Sequence, residues 1–256
     1  MERVTSLDET KQRYVLVHGS WHTGELLKGV ADSLRRRGHE VHTPTIAGHG
    51  AHADKSVSHA DQVASVARYI TDNDLHDIIL VGHSYAGTII AKLAESLTDR
   101  IHRLVFWSAF VLNDGDSIID EVPIPFQVLF GQLRDASPDK SIMLPFPIWR
   151  ETFMNDATFT SARESYQLLS SEPQASFYTK LDLKKFYERI NGQKIACSYL
   201  HCTGDTGLPP GDYNWYPRFP NRLGLCRTIE FLGASHEALF NNPKGLAWHI
   251  VKAGRD

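Results

Sequence analysis

Residues 78–87 read IILVGHSYAG, an apolar segment that leads without a gap into the pattern Gly-x-Ser-x-Ala. A helical pattern follows over residues 88–97. This order predicts a buried strand, a tight turn with Ser84 at its tip, and a helix that starts directly after it. Gly82 and Ala86 are small, as the close approach of the strand and helix backbones requires. The pattern favours Ser84 as a nucleophile over a simple helix cap.

Composition limits the possible partners. The chain has 256 residues, of which 42% are hydrophobic and 22% charged, which is typical of a globular protein. The formal net charge of −3 gives no electrostatic reason to expect a nucleic acid or an anionic membrane as partner. No apolar run approaches the about 18 residues that span a bilayer. We expect a small-molecule substrate, no nucleic-acid or membrane partner, and a flexible tail at residues 1–13, which have no secretory signal pattern.

The cysteines indicate a cellular location. Cys197, Cys202 and Cys226 lie in apolar segments with a strand pattern, where a cysteine is usually a small buried hydrophobe. Three cysteines in a chain of this length do not make a disulfide framework. The sequence therefore favours a reducing, cytoplasmic location.

Strand and helix patterns alternate along residues 14–112 and again along residues 191–256. This alternation predicts an α/β fold with a doubly wound, mostly parallel sheet of about six strands. Residues 113–190 break the alternation with proline-punctuated apolar clusters. We interpret them as a helical cap over the carboxyl ends of the strands, where ligands bind in such sheets. The predicted strands are 14–18, 40–43, 77–81, 103–107, 195–202 and 227–232.

A nucleophilic serine needs a base and a third group that orients the base. In hydrolases with this strand-turn-helix arrangement, the chain order is serine, acid, histidine. His236 lies between the last strand and the last helix, and Asp205 follows the preceding strand, so both belong at the same sheet edge as Ser84. The other loop acids that could orient the histidine are Asp114, Asp116 and Asp212.

The negative charge that forms on the substrate oxygen needs backbone N–H donors. One predicted donor is the amide of Tyr85, directly after the nucleophile. The other is the amide of Ser20, in the loop after the first strand, where Gly19 permits a tight turn.

Four motifs in this order resemble the α/β-hydrolase superfamily, and within it the branch of hydroxynitrile lyases, plant methyl-ester esterases and their bacterial relatives. The resemblance covers about Tyr14 to Ala253. It implies Ser84, His236 and Asp205 as a catalytic triad, with the Ser20 and Tyr85 amides as the oxyanion hole. The motifs are HGSWH at 18–22, GHSYAG at 82–87, CTGD at 202–205 and GASHEAL at 233–239.

The residue after the histidine departs from this branch. Hydroxynitrile lyases of the branch carry lysine there, and the plant esterases usually carry methionine, whereas this chain has Glu237. Cyanohydrin cleavage is therefore disfavoured. A glutamate beside His236 would raise the pKa of that histidine.

Aromatic side chains from the cap and from the loop after the first strand are expected to line an apolar pocket. The segment from His49 to Asp54, with His59 beyond it, lacks the spacing of a dinuclear metal motif, and we interpret it as a loop at the pocket rim. We expect neither a metal nor a cofactor. The predicted pocket residues are Trp21, His18, Phe126, Phe130, Trp149 and Phe153.

These features together predict a cofactor-independent serine hydrolase that acts on a mostly apolar ester, lactone or related acyl substrate, as a monomer or homodimer. One alternative is a cofactor-free dioxygenase or lyase that uses the histidine and aspartate on an aromatic heterocycle. A second alternative is a ligand receptor on the same fold with little turnover.

Overall fold

A computed structural model describes residues 11–256, so residues 1–10 of the predicted tail lie outside the described residues. Six strands form one parallel sheet in the order β2-β1-β3-β4-β5-β6. The predicted α/β fold class is confirmed. The strands are β1 (Arg13–Val17), β2 (Glu40–His42), β3 (Ile78–His83), β4 (Ile101–Trp107), β5 (Ala196–Cys202) and β6 (Cys226–Phe231).

Ten α-helices and five other short helical turns occur in the described residues. Helices α1 and α10 pack together on one face of the sheet, and α2, α3 and α8 pack on the other. The helices are α1 (Lys28–Arg35), α2 (His59–Asp72), α3 (Ala86–Ser96), α4 (Ile124–Ala136), α5 (Phe146–Ile148), α6 (Phe159–Tyr166), α7 (Ala175–Tyr178), α8 (Lys184–Asn191), α9 (Ala238–Asn241) and α10 (Pro243–Gly254). The short turns are 3₁₀ helices at Gly24–Leu27, Thr98–Arg100, Ile118–Glu121 and Pro220–Leu223, and a π-helix at Trp149–Phe153.

Strand β3 shows how the sheet buries both of its faces. Successive side chains of a strand point to opposite faces. Ile78 and Leu80 therefore pack with α2, α3 and the cap, whereas Ile79 and Val81 pack with α1 and α10. All six residues of β3 are buried, which explains why its sequence is a continuous apolar run rather than an alternating pattern.

The connection from β4 to β5 contains five of the helices. Its last helix, α8, packs against α3 on the sheet, and so belongs to the layer that covers the core. We therefore propose that the cap ends near residue 183 rather than at residue 190. Among the described residues, no helix combines the length and apolarity that crossing a membrane requires.

Candidate active site

Ser84 directly follows β3 and has a φ of +55°, in the left-handed region that non-glycine residues rarely adopt. Two hydrogen bonds hold it there: its N–H donates to Trp107 O at 3.2 Å, and its carbonyl accepts from Phe110 N at 3.0 Å. Both partners lie at the carboxyl end of β4. The strained turn is thus fixed by the neighbouring strand, as expected where strain serves a function.

Two glycines make the turn possible. A Cβ on Gly82 would lie 2.8 Å from Ala86 O, and one on Gly87 would lie 2.1 Å from Phe110 O. The second contact is the shorter, so the glycine that the fold requires after Ser84 is Gly87. Alanine is accommodated at position 86 because the closest backbone approach occurs one residue later.

We expect the substitution Gly87→Ala to destabilise the protein by about 2 kcal/mol or more, since overpacking of a buried site typically costs 1–3 kcal/mol. In a helix interior, the same change ordinarily stabilises by about 0.5–1 kcal/mol. Gly131 in α4 provides the control, because its added Cβ would meet only Tyr178 Oη at 3.9 Å. Urea denaturation of both variants measures the two effects. A stabilised Gly87→Ala variant would contradict the contact with Phe110.

His236 and Asp205 are in direct contact. Nδ1 of His236 lies 2.6 Å from Oδ2 of Asp205, and the two side chains are 1% and 0% exposed. The second oxygen, Oδ1, accepts a hydrogen bond from Gly207 N at 2.8 Å. The carboxylate therefore holds the ring with Nδ1 as the donor, which leaves Nε2 to accept a proton.

The alternative acids have other partners. Asp114 accepts a hydrogen bond from Leu183 N at 2.8 Å, and Asp116 accepts one from Asn113 Nδ2 at 2.9 Å. Of these loop acids, the structure brings only Asp205 to the histidine. Asp205 comes there because its loop packs on the histidine loop at Gly204, where a Cβ would lie 2.8 Å from Gly233 O.

His236 lies among aromatic rings, with Phe153 at 5.3 Å, Trp215 at 5.1 Å and His83 at 4.7 Å between ring centroids. Burial by itself would lower the pKa of His236. The adjacent charge and hydrogen bond of Asp205, together with the charge of Glu237, outweigh burial and raise that pKa above its ordinary value of 6.5.

If His236 acts as the predicted base, we expect its raised pKa to set the acid limb of the pH profile. A base works in its neutral form, so kcat/KM should fall as pH drops through the raised pKa of His236, above pH 6.5. Glu237→Gln removes one cause of the rise, and we expect the acid limb of kcat/KM to shift to lower pH. Glu230→Gln, which removes a charge from an exposed position of β6, is the control and should leave the limb in place. An unmoved limb in Glu237→Gln would mean that the charge of Glu237 does not reach His236.

Glu237 turns away from the pocket toward His22. Its Oε2 lies 3.1 Å from His22 Nε2, an ion-pair distance without the alignment of a hydrogen bond, and both side chains are 1% exposed. Burial lowers the pKa of His22, but Glu237 and the hydrogen bond to Ser20 O, 2.5 Å from Nδ1, outweigh burial and raise it. The sequence indicated Glu237, whereas its partner His22 was missed, although the HGSWH motif contains it.

The residues of the two predicted oxyanion donors, Ser20 and Tyr85, both lie close to Ser84. Ser20 and Ser84 line the same pocket, and Tyr85 immediately follows Ser84. Within residues 11–256, neither the Ser20 amide nor the Tyr85 amide donates to a protein acceptor.

The pocket encloses about 380 Å³ of empty space, counting its open mouth. Four predicted pocket residues line it, namely Trp21, Phe126, Phe130 and Phe153. None of its lining side chains carries a charge. The lining residues are Ser20, Trp21, Ser84, Phe110, Ile118, Val122, Phe126, Phe130, Phe153, Phe177, Gly207, Leu208 and Trp215.

His18 and Trp149, which we expected in the pocket, lie outside its lining. The His18 ring donates from Nδ1 to Gly19 O at 2.9 Å and accepts at Nε2 from Ile46 N at 3.0 Å. Burial and the nearby His49 ring lower the pKa of His18 well below its ordinary value. Trp149 is fully buried, and its Nε1 donates to Ser165 Oγ at 3.1 Å. Both side chains use their polar atoms inside the protein.

One cap segment, residues 152–156, is hydrogen-bonded to the loops that carry both Asp205 and His236. On the acid loop, Asn155 Nδ2 donates to Gly204 O at 2.9 Å, and Thr206 Oγ1 donates to Thr152 O at 2.9 Å. On the histidine loop, Glu237 N donates to Phe153 O at 3.3 Å, and Ser235 N donates to an Asp156 carboxylate oxygen at 3.2 Å. The cap thus supports both loops of the site.

The histidines that invited a metal interpretation are separated in the fold. His49 pairs with Glu172, and His59 contacts Thr88 Oγ1 at 2.9 Å. Among the described residues, His83, His236 and Glu237 are the group whose donor atoms lie within 4.8 Å of one another. His83 Nε2 faces His236 O at 3.1 Å, and His236 Nδ1 is held by Asp205. These contacts each use one ring nitrogen of the two histidines.

Comparisons with known proteins identify the family of the chain. The sequence profile of the Alpha/beta hydrolase family matches residues 14–247. The solved structure of an extracellular alpha/beta-hydrolase from a Paenibacillus species has a TM-score of 0.91 and 43% sequence identity, covering 96% of this chain and 100% of that chain. That protein is described as sharing structural and functional homology with tobacco salicylic acid binding protein 2. Its extracellular description gives no support to the cytoplasmic location expected from the sequence.

Two further relatives come from curated proteins. A carbendazim-hydrolyzing esterase of Nocardioides sp. strain SG-4G is 38% identical over 148 residues, which are 55% of this chain and 61% of that enzyme. Salicylic acid-binding protein 2 of Nicotiana tabacum is 25% identical over 265 residues, 94% of this chain and 96% of that protein. The resemblance that the four sequence motifs predicted is confirmed.

Proposed function

The chain belongs to the Alpha/beta hydrolase family, and from this premise we propose that it is a cofactor-independent serine esterase acting on neutral, largely aromatic esters. Ser84 is the proposed nucleophile, His236 the general base and Asp205 the residue that orients the base. The Ser20 and Tyr85 amides are the proposed oxyanion donors.

In the first half of the reaction, Ser84 Oγ attacks the ester carbonyl carbon while its proton passes to Nε2 of His236. The carbonyl oxygen takes the negative charge and accepts the two amide N–H groups. The C–O bond to the alcohol then breaks, and His236 returns the proton to the leaving alcohol. This leaves an acyl group on Ser84.

In the second half, water attacks the acyl carbon and gives a proton to His236. The tetrahedral species then releases the carboxylic acid, and Ser84 recovers its proton. The 2.6 Å contact between His236 and Asp205 supports this sequence, because it stabilises the imidazolium that forms in both halves. That contact is the observation that carries the proposal.

The pocket lining supports the substrate class. The side chains that line the pocket are aromatic or aliphatic except for the hydroxyls of Ser20 and Ser84, and none is charged. Transfer of a charged acyl group into such a site is costly, because nothing there replaces its hydration. The tobacco relative is named for binding salicylic acid, an aromatic carboxylic acid of the kind that an aromatic ester releases.

Steady-state hydrolysis of paired methyl esters tests the proposal. Methyl benzoate and its analogue with a free para-carboxylate differ by one charge at nearly the same shape. We expect the neutral ester to be hydrolysed with a kcat/KM at least about 10²-fold higher, since an unpaired charge in an apolar site costs several kcal/mol. Equal values, or a preference for the charged ester, would overturn the substrate class.

The alternatives give different outcomes. An oxygenase would consume O₂ and would not release an alcohol. A receptor with little turnover would bind the neutral aromatic ester, react with a fluorophosphonate at Ser84 and release almost no product. Release of alcohol and acid in equal amounts, at a steady rate and without oxygen uptake, supports the esterase.

A further inference from the structure

A buried carboxylate, Glu172, lies behind the oxyanion donors and takes no part in the proton transfers described above. It precedes α7 in the cap and is fully buried. Its backbone pairs with Ile142 through two hydrogen bonds of 2.8 and 2.9 Å, which fixes the strand-like segment that carries it. A carboxylate without solvent is costly unless it is paired and hydrogen-bonded. Its partners therefore indicate why it is there.

The first partner is the backbone of Trp21, the residue after Ser20. Trp21 N donates to Glu172 Oε2 at 2.7 Å, and Trp21 O accepts from Ser170 N at 2.9 Å. The cap thus forms hydrogen bonds to both the N–H and the carbonyl of Trp21. Trp21 has a φ of +66°, a conformation that is strained for a bulky side chain and persists only where its surroundings impose it.

The second partner reaches the other oxyanion donor. His49 Nε2 lies 3.0 Å from both oxygens of Glu172. The His49 ring stacks on the Tyr85 ring with centroids 5.7 Å apart and an interplanar angle of 18°. Glu172 is therefore linked directly to the residue after Ser20 and, through His49, to Tyr85.

The charge of Glu172 is compensated locally. A free anion behind the oxyanion hole would oppose the negative charge that forms on the substrate. The Trp21 amide and the His49 ring both bind this carboxylate. Lys55 is close enough to be affected: burial lowers the pKa of Lys55, whereas the charge of Glu172 raises it. The carboxylate can therefore hold the loop without opposing the oxyanion.

We propose that Glu172 is a positioning residue for the oxyanion hole: its carboxylate fixes Trp21 in the left-handed conformation that aims the Ser20 amide at the carbonyl oxygen. This inference rests on the proposed esterase function. Glu172 does not line the pocket, so it acts through Trp21 and His49 and not on the substrate.

Two substitutions separate position from charge. Glu172→Gln keeps the length of the side chain and an oxygen that accepts from Trp21 N, but removes the charge. Glu172→Asp keeps the charge but is one methylene shorter, so it no longer reaches the amide. We expect kcat to fall about 10- to 100-fold in Glu172→Asp, below the 10²–10³-fold cost of deleting an oxyanion donor outright. Glu172→Gln should retain most of the wild-type kcat.

A trifluoromethyl ketone with an aromatic substituent gives the decisive readout, because its adduct with Ser84 carries an oxyanion. In Glu172→Asp, we expect affinity for this ketone to fall by the same factor as kcat, with KM changed by less than about 3-fold. Glu121→Gln is the control. Glu121 is a similarly buried carboxylate that is bound to Arg218 and Arg222. In Glu121→Gln, any change in affinity for the ketone should match the change in KM.

Two results would overturn the inference. One is a Glu172→Asp variant with wild-type kcat and ketone affinity. The other is a Glu172→Asp variant in which kcat falls, KM rises and thermal stability falls together. That pattern would indicate general damage to the fold, which loss of Glu121 could cause equally. If the wild-type enzyme itself neither hydrolyses esters nor binds the ketone, the proposed function has failed instead. The two failures are thus distinguishable.

Discussion

Ser84→Ala is expected to lower kcat for ester hydrolysis by about 10⁴- to 10⁶-fold, as loss of a nucleophile does in enzymes whose triad acts as a unit. Without Oγ no acyl-enzyme forms. The remaining activity would come from water activated by His236 and from the oxyanion donors. Alanine and serine share the same backbone restriction at φ +55°, so the variant should unfold at the same temperature as the wild type.

Covalent labelling provides the control for this variant. A fluorophosphonate should add one mass increment to the wild-type protein, on the peptide that contains Ser84, and none to Ser84→Ala. Ser20, the other serine of the pocket, should remain unlabelled in both proteins. An alanine variant that keeps near-wild-type turnover would refute the serine mechanism.

Asp205→Asn should reduce kcat by about 10⁴-fold while leaving the fold intact, because an asparagine can hold the imidazole in the wrong tautomer. In the wild type, Asp205 Oδ2 can only accept from His236 Nδ1, and Oδ1 is occupied by Gly207 N. An amide nitrogen facing Nδ1 would donate to it, which places the ring proton on Nε2. The base could then no longer take the proton of Ser84.

The alternative acids are the controls for Asp205. Asp114→Asn and Asp116→Asn remove the same charge from the loop after β4, whose acids bond to Leu183 N and Asn113 Nδ2. Both variants should keep kcat within about 3-fold of the wild type, as surface changes away from a site usually do. If Asp116→Asn lost more activity than Asp205→Asn, the acid would have been assigned to the wrong strand.

The architecture was predictable because its signals are local. The run over residues 78–81 and the helix starting near residue 86 are each set by a few adjacent side chains, and their alternation predicts a parallel sheet. In such a sheet, all the loops at the carboxyl ends lie along one edge. Asp205 and His236 could therefore be predicted beside Ser84 although they are more than 100 residues away in the chain.

The supporting residues were not predictable in the same way. Glu172 contacts Trp21 across 151 residues of sequence, from a cap whose packing has no periodic pattern. His18 and Trp149 were expected in the pocket because of their position and ring chemistry. Their polar atoms instead bond to Ile46 N and Ser165 Oγ, and no local pattern indicates such partners. The boundary of the cap that we propose, near residue 183, likewise depends on tertiary packing of α8 on α3, which no local pattern indicates.

The hydrogen bonds between residues 152–156 and the loops of Asp205 and His236 attach one edge of the cap more firmly than the edge formed by α4. Lifting this edge would break four hydrogen bonds, each worth about 1 kcal/mol, and would release the loops of Asp205 and His236 at the same moment. Helix α4 has no comparable tie: within the described chain, none of its side chains bonds to the sheet loops, and Ile124 and Val128 are exposed. A substrate that entered past α4 would therefore reach Ser84 with the hydrogen bonds to the loops of Asp205 and His236 still in place.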